Sequence, residues 1–223
     1  MCGRYTLTSS KEAVSEYFET GTAPQLPARY NLAPTQETLI VKPDAGGERA
    51  VVCARWGFQQ ARGKQSRLLI NARCESAHRK PSFKVSFQER RCLVPANGFF
   101  EWIRIGRIRQ PYYFTVRKSP LFGFAGLWSE DADGRPAFVI LTTAANEVVA
   151  PVHDRMPVIL NRRDHDRWLA DGALESPFQS AVLRPWPASD LQARPVGMRV
   201  NDAAYDAPAC LEPLPGPVDL FSD

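Results

Sequence analysis

Between residues 38 and 143 the chain is cut into short runs rich in β-branched and aromatic residues. They fall at 38–42, 50–56, 68–71, 91–94, 98–105, 111–117, 121–128 and 137–143, and glycine, proline or charged residues punctuate them. Runs of this length and composition read as strands. No long amphipathic helix alternates with them, so a parallel, doubly wound sheet is excluded as the expected architecture. The helical signals are few and short. Ser9 and Glu12 have capping-box spacing ahead of Val14, Tyr17 and Phe18, which predicts a helix over 10–19. Shorter helices are expected near 82–88, 145–150 and 162–170. The pattern predicts a single α+β domain with an antiparallel-rich β core, barrel-like or a bifurcated sheet, surrounded by short helices. Its bounds are placed at 1–207. Residues 208–223, with Pro208, Pro213, Pro215 and Pro217 among acids, read as an extended or loose tail.

At 223 residues and 44% hydrophobic content the chain can bury a sizeable core and is not a disordered sequence. No stretch of about 18 apolar residues marks a membrane span, and Met1-Cys2-Gly3-Arg4-Tyr5 lacks the apolar segment of a signal peptide. A cytoplasmic location is expected. Five cysteines, an odd number with no C-x-x-C, fit reduced thiols. Cys53, Cys74 and Cys92 sit in or beside apolar runs and read as buried small hydrophobes. With three histidines and no close ligand spacing, no metal or other cofactor is expected.

The net charge of +4 is an average over uneven segments. Residues 49–118 hold 16 basic against 3 acidic side chains, a block of +13, whereas 201–223 hold five acids and no base. Arginine outnumbers lysine 22 to 6. Its planar fork suits phosphate. The block reads either as a solvated basic face or as a groove for a polyanion.

Four positions could carry chemistry. If the initiator methionine is removed, Cys2 presents an amine and a thiol on adjacent carbons. An α-amine with pKa near ~8 is roughly a tenth free base at pH 7, far more than a lysine. Such a residue can attack an aldehyde with its amine and close the imine with its thiol into a five-membered thiazolidine. Asn71 ends an apolar run and needs a partner if buried. Glu101 lies between Phe100 and Trp102, where apolar surroundings raise a carboxyl toward neutral pH; an edge-strand glutamate facing water is the alternative. His153 sits beside Asp154 and Arg155 in a loop bounded by Pro151 and Pro157. Each alone is as easily structural as functional.

The ordered set is more specific. Met1-Cys2-Gly3-Arg4-Tyr5, Tyr30-Asn31-Leu32-Ala33-Pro34-Thr35, Arg55-Trp56-Gly57, Asn71-Ala72-Arg73-Cys74-Glu75-Ser76, Gly98-Phe99-Phe100-Glu101-Trp102, Leu141-Thr142-Thr143-Ala144-Ala145 and His153-Asp154-Arg155-Met156-Pro157 follow one another along the chain. Over about residues 2–200 the chain resembles the SOS-response-associated peptidase family, the abasic-site processing proteins. The resemblance implies a single α+β domain, a monomer, and covalent capture of abasic sites in single-stranded DNA. It implies Cys2 as nucleophile after Met1 removal, with Asn71, Glu101 and His153 as its companions. It implies Arg4, Asn31, Pro34, Arg73, Thr143 and Arg155 as DNA contacts. One departure follows Arg55-Trp56-Gly57-Phe58: the family usually carries a proline and a stacking aromatic, and here Gln59 to Gln65 bring Arg62 and Lys64 instead. Weaker base stacking and more salt-dependent binding are expected. Two other readings stand beside the crosslinker: a thiol peptidase acting chiefly on Met1, possessing residual lyase activity or not, and a non-covalent single-strand binding module.

Overall fold

The computed structural model describes residues 2–62 and 65–214. The strands are β1 (Arg4–Leu7), β2 (Arg29–Leu32), β3 (Glu37–Pro43), β4 (Arg49–Trp56), β5 (Phe58–Arg62), β6 (Gln65–Leu69), β7 (Asn71–Arg73) and β8 (Arg91–Ala96). They continue as β9 (Gly98–Ile105), β10 (Ile108–Val116), β11 (Phe122–Glu130), β12 (Pro136–Ala144), β13 (Arg155–Pro157), β14 (Ile159–Leu160) and β15 (Leu191–Pro195). The α-helices are short: α1 (Lys11–Phe18), α2 (Cys74–Ala77), α3 (Lys84–Glu89), α4 (His165–Leu169) and α5 (Ser176–Val182).

Strands β12, β4, β3, β8 and β11 pair in that order, and β11 pairs back to β12, so the ring closes. Closure removes the free edges that an open sheet would expose. All of β8 is buried, and β12 is buried from Ala137 to Thr143, as continuous apolar runs predict for strands covered on both faces. Inside the ring Trp56 stacks on its register partner Phe138, with centroids 6.2 Å apart. Gly126 is required where the walls converge: a Cβ there would come within 2.8 Å of the Cys92 sulfur. Strand β12 also branches. Its first half pairs with β11 and β4, and its second half with β13 and β7. Barrel and bifurcated sheet are thus both present.

A second, antiparallel sheet runs β15-β10-β9-β1-β2. Alternation divides its side chains between two cores. Tyr5, Phe99, Tyr112 and Phe114 belong to the main core, whereas Phe100 and Tyr113 face a smaller cluster with Val196, Val200 and Cys210. Cys210 lies on a 3-10 turn, Pro208–Leu211, so the first part of the segment expected to be loose is packed against the sheet. Residues 215–223 of that tail lie outside the described residues.

Three local expectations change. The cap of α1 is Ser10, whose hydroxyl accepts the Ala13 N–H at 3.3 Å, while the Ser9 hydroxyl accepts from the Asn97 amide. Residues 145–150 form turns instead of a helix: Asn146 caps a first turn, with its side-chain oxygen accepting from Val148 and Val149 and its carbonyl from Ala150, but Pro151 has no N–H to extend it. The run 68–71 breaks at Ile70, whose carbonyl accepts the Trp56 indole N–H and the Ile140 N–H.

Candidate active site

The site begins where the chain begins. Strand β1 pairs with β9 so that Arg4 faces Phe100, which carries the residues before Arg4 alongside Glu101. Cys2 is fully buried, its sulfur 3.8 Å from the Arg4 carbonyl. Burial, reinforced by the Glu101 carboxylate, pushes its thiol far above the ordinary range. Such a thiol needs a base to take its proton before it can act as a nucleophile.

Glu101 is buried on β9 opposite Tyr112 of β10. Burial lifts its carboxyl to about 7, against the opposing pull of the positive charge at the chain's N-terminus. The neighbouring Asp154 adds to the rise. His153 moves the other way: burial and the same N-terminal charge lower it, so the ring is neutral. Its Nδ1 accepts the Arg155 N–H at 2.9 Å, which assigns the ring proton to Nε2. The Asp154 carboxylate also lies 2.9 Å from Nδ1, but it is 80% exposed and hydrated, so the backbone N–H sets the tautomer. Cys2, Glu101 and His153 all respond to one charge at the start of the chain.

Asn71 opens β7. Its Nδ2 donates to the Ile140 carbonyl at 3.5 Å, and its Oδ1 is buried with no hydrogen-bond partner among the described residues. Leaving such an acceptor unmade costs about 1–3 kcal/mol. The position is tied to Cys2 through aromatic packing. The Trp56 indole donates to the Ile70 carbonyl at 2.9 Å, Trp56 meets Tyr5 edge-on with centroids 5.1 Å apart, and the Tyr5 phenol feels the Cys2 sulfur.

The expected DNA contacts separate. Arg73 follows Asn71 and is exposed. Arg155 is committed within the protein: its guanidinium grips Glu75 at 2.6 and 2.9 Å and donates to the Thr142 carbonyl at 2.6 Å. Arg4 is half-buried and donates to Asn31 Oδ1 at 2.8 Å and to the Val200 carbonyl at 2.9 Å. Pro34 is half-buried in the β2–β3 loop, where the next residue, Thr35, adopts φ 76° and donates its N–H to the Trp56 carbonyl. Two further positions lie within the frame. Asn31 is fully buried, and its amide bonds the carbonyls of Val200, Asp202 and Tyr205. Thr143 is buried, its hydroxyl donating to the Leu183 carbonyl. Both hold the frame and present no surface to DNA.

The basic block is also divided. Arg49 is bound by Glu19 and Asp166, Arg55 by Asp131, and Arg91 is buried among backbone carbonyls. Arg67, Arg73, Arg79, Lys80, Lys84, Arg104, Arg107, Arg109, Arg117 and Lys118 remain exposed. Of the segment 59–65, where the departure from the family falls, residues 63 and 64 lie outside the described residues. One aromatic escaped the sequence reading. Trp102 lies between the guanidiniums of Arg4 and Arg109, at 5.9 and 5.7 Å from its ring, and donates to Asn201. Its place beside Glu101 was the available signal. A cleft of about 480 Å³ lies between β10, β15 and Val148. Among the described residues no group of three or more His, Cys, Asp or Glu is placed to hold a metal ion, and no helix is long and apolar enough to cross a membrane.

Comparison with known proteins gives the family of the chain. The model of the SOS response associated peptidase (SRAP) family matches residues 1–203. The abasic site processing protein YoqW of Bacillus subtilis is 33% identical over 223 residues, covering 95% of this chain and 99% of that protein. The abasic site processing protein YedK of Escherichia coli is 26% identical over 225 residues, covering 96% and 100%. A crystal structure of a protein from Bacteroides thetaiotaomicron superposes with a TM-score of 0.79 at 22% identity, covering 96% of this chain and all of that one. That last likeness concerns the fold.

Proposed function

The chain belongs to the SOS response associated peptidase family, and we propose that it captures abasic sites in single-stranded DNA through a covalent bond to Cys2 once Met1 has been removed. The observation that carries this reading is the burial of Cys2 beside a carboxyl held at about 7. The names of the relatives supply the lesion; the chemistry follows from the residues.

An abasic deoxyribose is mainly a closed hemiacetal. Opening it requires a proton at the ring oxygen, which Glu101 in its acid form supplies, while the anomeric hydroxyl gives up its proton to solvent, from which the imine nitrogen later regains one. The Cys2 amine adds to the freed aldehyde carbon, and loss of water leaves an imine. The Cys2 sulfur then adds to the same carbon while its proton leaves to the Glu101 carboxylate, and the imine nitrogen takes up a proton. The product is a thiazolidine, formed with the net loss of one water. Closing the ring removes the imine that would acidify the neighbouring C–H and invite strand scission. Asn71 Oδ1 is suited to accept from a sugar hydroxyl, and neutral His153 to donate from Nε2.

The experiment is intact mass spectrometry of the purified protein before and after incubation with an abasic single-stranded oligonucleotide. The first spectrum shows whether Met1 has gone. The second should rise by the oligonucleotide mass less one water. Cys2→Ala should abolish the adduct; an equal yield from that variant would refute the proposal.

A further inference from the structure

The hairpin joining β9 and β10 has a composition that the core does not explain. Its tip reads Ile105-Gly106-Arg107-Ile108, a two-residue turn with Gly106 at φ 60°. A positive φ at the first central residue alone is the type II′ geometry that matches the twist of the strands. Ile105 and Ile108 face each other across the turn, yet they are 47% and 50% exposed. Arg104 and Arg109 form the next pair inward, and Arg107 occupies the turn. Residues 102–110 contain three arginines and no acid.

The base of this finger is rigid. The Arg109 guanidinium lies over Trp102, the Trp102 indole donates to Asn201, and the Asn201 amide donates to the Arg109 carbonyl at 3.1 Å. Met198, 45% exposed, stands on the same short turn as Asn201. The finger thus projects from the strand that carries Glu101; by alternation its Ile105–Ile108 pair lies on the Glu101 face, its Arg104–Arg109 pair on the Trp102 face, and Arg107 at the turn.

We propose that this hairpin is a second DNA-contacting element, whose Ile105 and Ile108 pack against bases of the single strand running on from the captured lesion while Arg107 in the turn meets its phosphates and Arg104 and Arg109, on the opposite face, add to the positive field. The occupant follows from charge: three arginines with no acidic partner among the described residues complement a polyanion, and apolar side chains are a known means of parting bases from one another. The reach follows from strand geometry. Ile105 is four residues beyond Glu101, about 14 Å along an ideal strand. The strand must therefore run a few nucleotides past the lesion to reach the tip. The proposal rests on the proposed function for the lesion itself, but not for the binding of the strand. It also supplies an apolar contact in a chain whose segment after Phe58 lacks the family's stacking aromatic.

The test separates the two readings. Affinity for an undamaged single-stranded oligonucleotide is measured by fluorescence anisotropy across a salt series, for wild type, Arg107→Ala and the pair Ile105→Ser with Ile108→Ser. The isoleucine pair should weaken binding about fivefold or more, the low end for loss of one stacked base. Arg107→Ala should reduce the slope of log affinity against log salt by about 0.7. Lengthening the strand beyond the lesion from two to six nucleotides should tighten wild type but not the isoleucine pair. Because facing isoleucines also support the hairpin, thermal melting accompanies each variant; should the pair unfold, Arg107→Glu in the turn carries the test and should lose at least as much as Arg107→Ala. Wild-type affinity and salt slope in folded variants that still crosslink would overturn the finger and leave the proposed function standing. A wild type that forms no crosslink, with variants that still lose affinity, would do the reverse. A hairpin that serves a protein partner leaves both DNA readouts unmoved, and so also overturns the proposal.

Discussion

A carboxyl at about 7 is half ionised at neutral pH, so Glu101 is suited both to give a proton to the sugar ring oxygen and to take one from the Cys2 thiol. Glu101→Gln keeps the shape of the side chain and removes the exchangeable proton. Crosslink formation, followed by quenched denaturing gels, should slow by about 10²–10⁴-fold, the usual worth of a positioned acid or base. If ring opening limits the rate, the wild-type rate should fall as pH rises through about 7 and the variant should lose that limb. A loss under about threefold would remove Glu101 from proton transfer. The raised Glu101 carboxyl was anticipated from its apolar run, yet Phe100 and Trp102 point to the opposite face of β9, and the burial comes from the main core beside Cys2 and Tyr112, which the local sequence does not show. The surroundings of Asn31 were hidden for the same reason. Its partners, the carbonyls of Val200, Asp202 and Tyr205, lie 169–174 residues along the chain, and no local pattern announces them. Arg155 was visible as a cation, but not the Glu75 carboxylate that occupies it.

At the scale of elements, strands were easier to read than charges. Alternating or continuous apolar runs locate β3, β4 and β8 to β12, since burial of a face leaves a period in the sequence. The turns at 145–150 were read as a helix because Asn146 caps a first turn as a helix start would, while Pro151 withholds the N–H that would extend it. Charge blocks mislead when a cation serves as mortar. Arg91 is the clearest case. It is buried at the start of β8, and its guanidinium donates to the carbonyls of Phe87 and Gln88 at the end of α3 and of Trp168, Ala170 and Gly172 at and beyond α4. One side chain thus satisfies helix-terminal acceptors that have no partners of their own. Arg91→Met fills similar space and leaves those acceptors bare. It should cost about 3–5 kcal/mol, the range for breaking a buried charged network, and lower the melting temperature by roughly 10 °C for a chain of this length. DNA affinity measured well below the midpoint should not change. A shift under about 3 °C would mean that water replaces the guanidinium.

For the whole molecule, two buried titratable groups bias stability in opposite directions. His165 opens α4, fully buried and stacked on Phe18 at 5.5 Å, and both its ring nitrogens lack hydrogen-bond partners among the described residues. Burial, with help from Arg49 and Arg162, lowers it to about 4 from 6.5. The unfolded chain therefore binds this proton first as pH falls, and the folded state loses stability between about 6.5 and about 4. Glu101 is raised from 4.5 to about 7. The unfolded chain releases this proton first as pH rises, so stability declines between about 4.5 and about 7. At 1.36 kcal/mol per unit, each limb is of order 3 kcal/mol. Their slopes cancel where the windows overlap, which gives a broad plateau near pH 4.5–6.5 from these two groups. Urea unfolding at a series of pH values checks this, because differences between variants remove the contributions they share. His165→Phe should recover stability below pH 6 and expose the declining Glu101 limb. Glu101→Gln should recover stability at pH 8 and expose the acid limb. The double variant should flatten both. If Glu101→Gln gains nothing at pH 8, the carboxyl is not held near 7 in the folded protein. The same measurement would then also remove the physical basis for its part in the proposed crosslink, since a carboxyl ionised throughout has no proton to give the sugar.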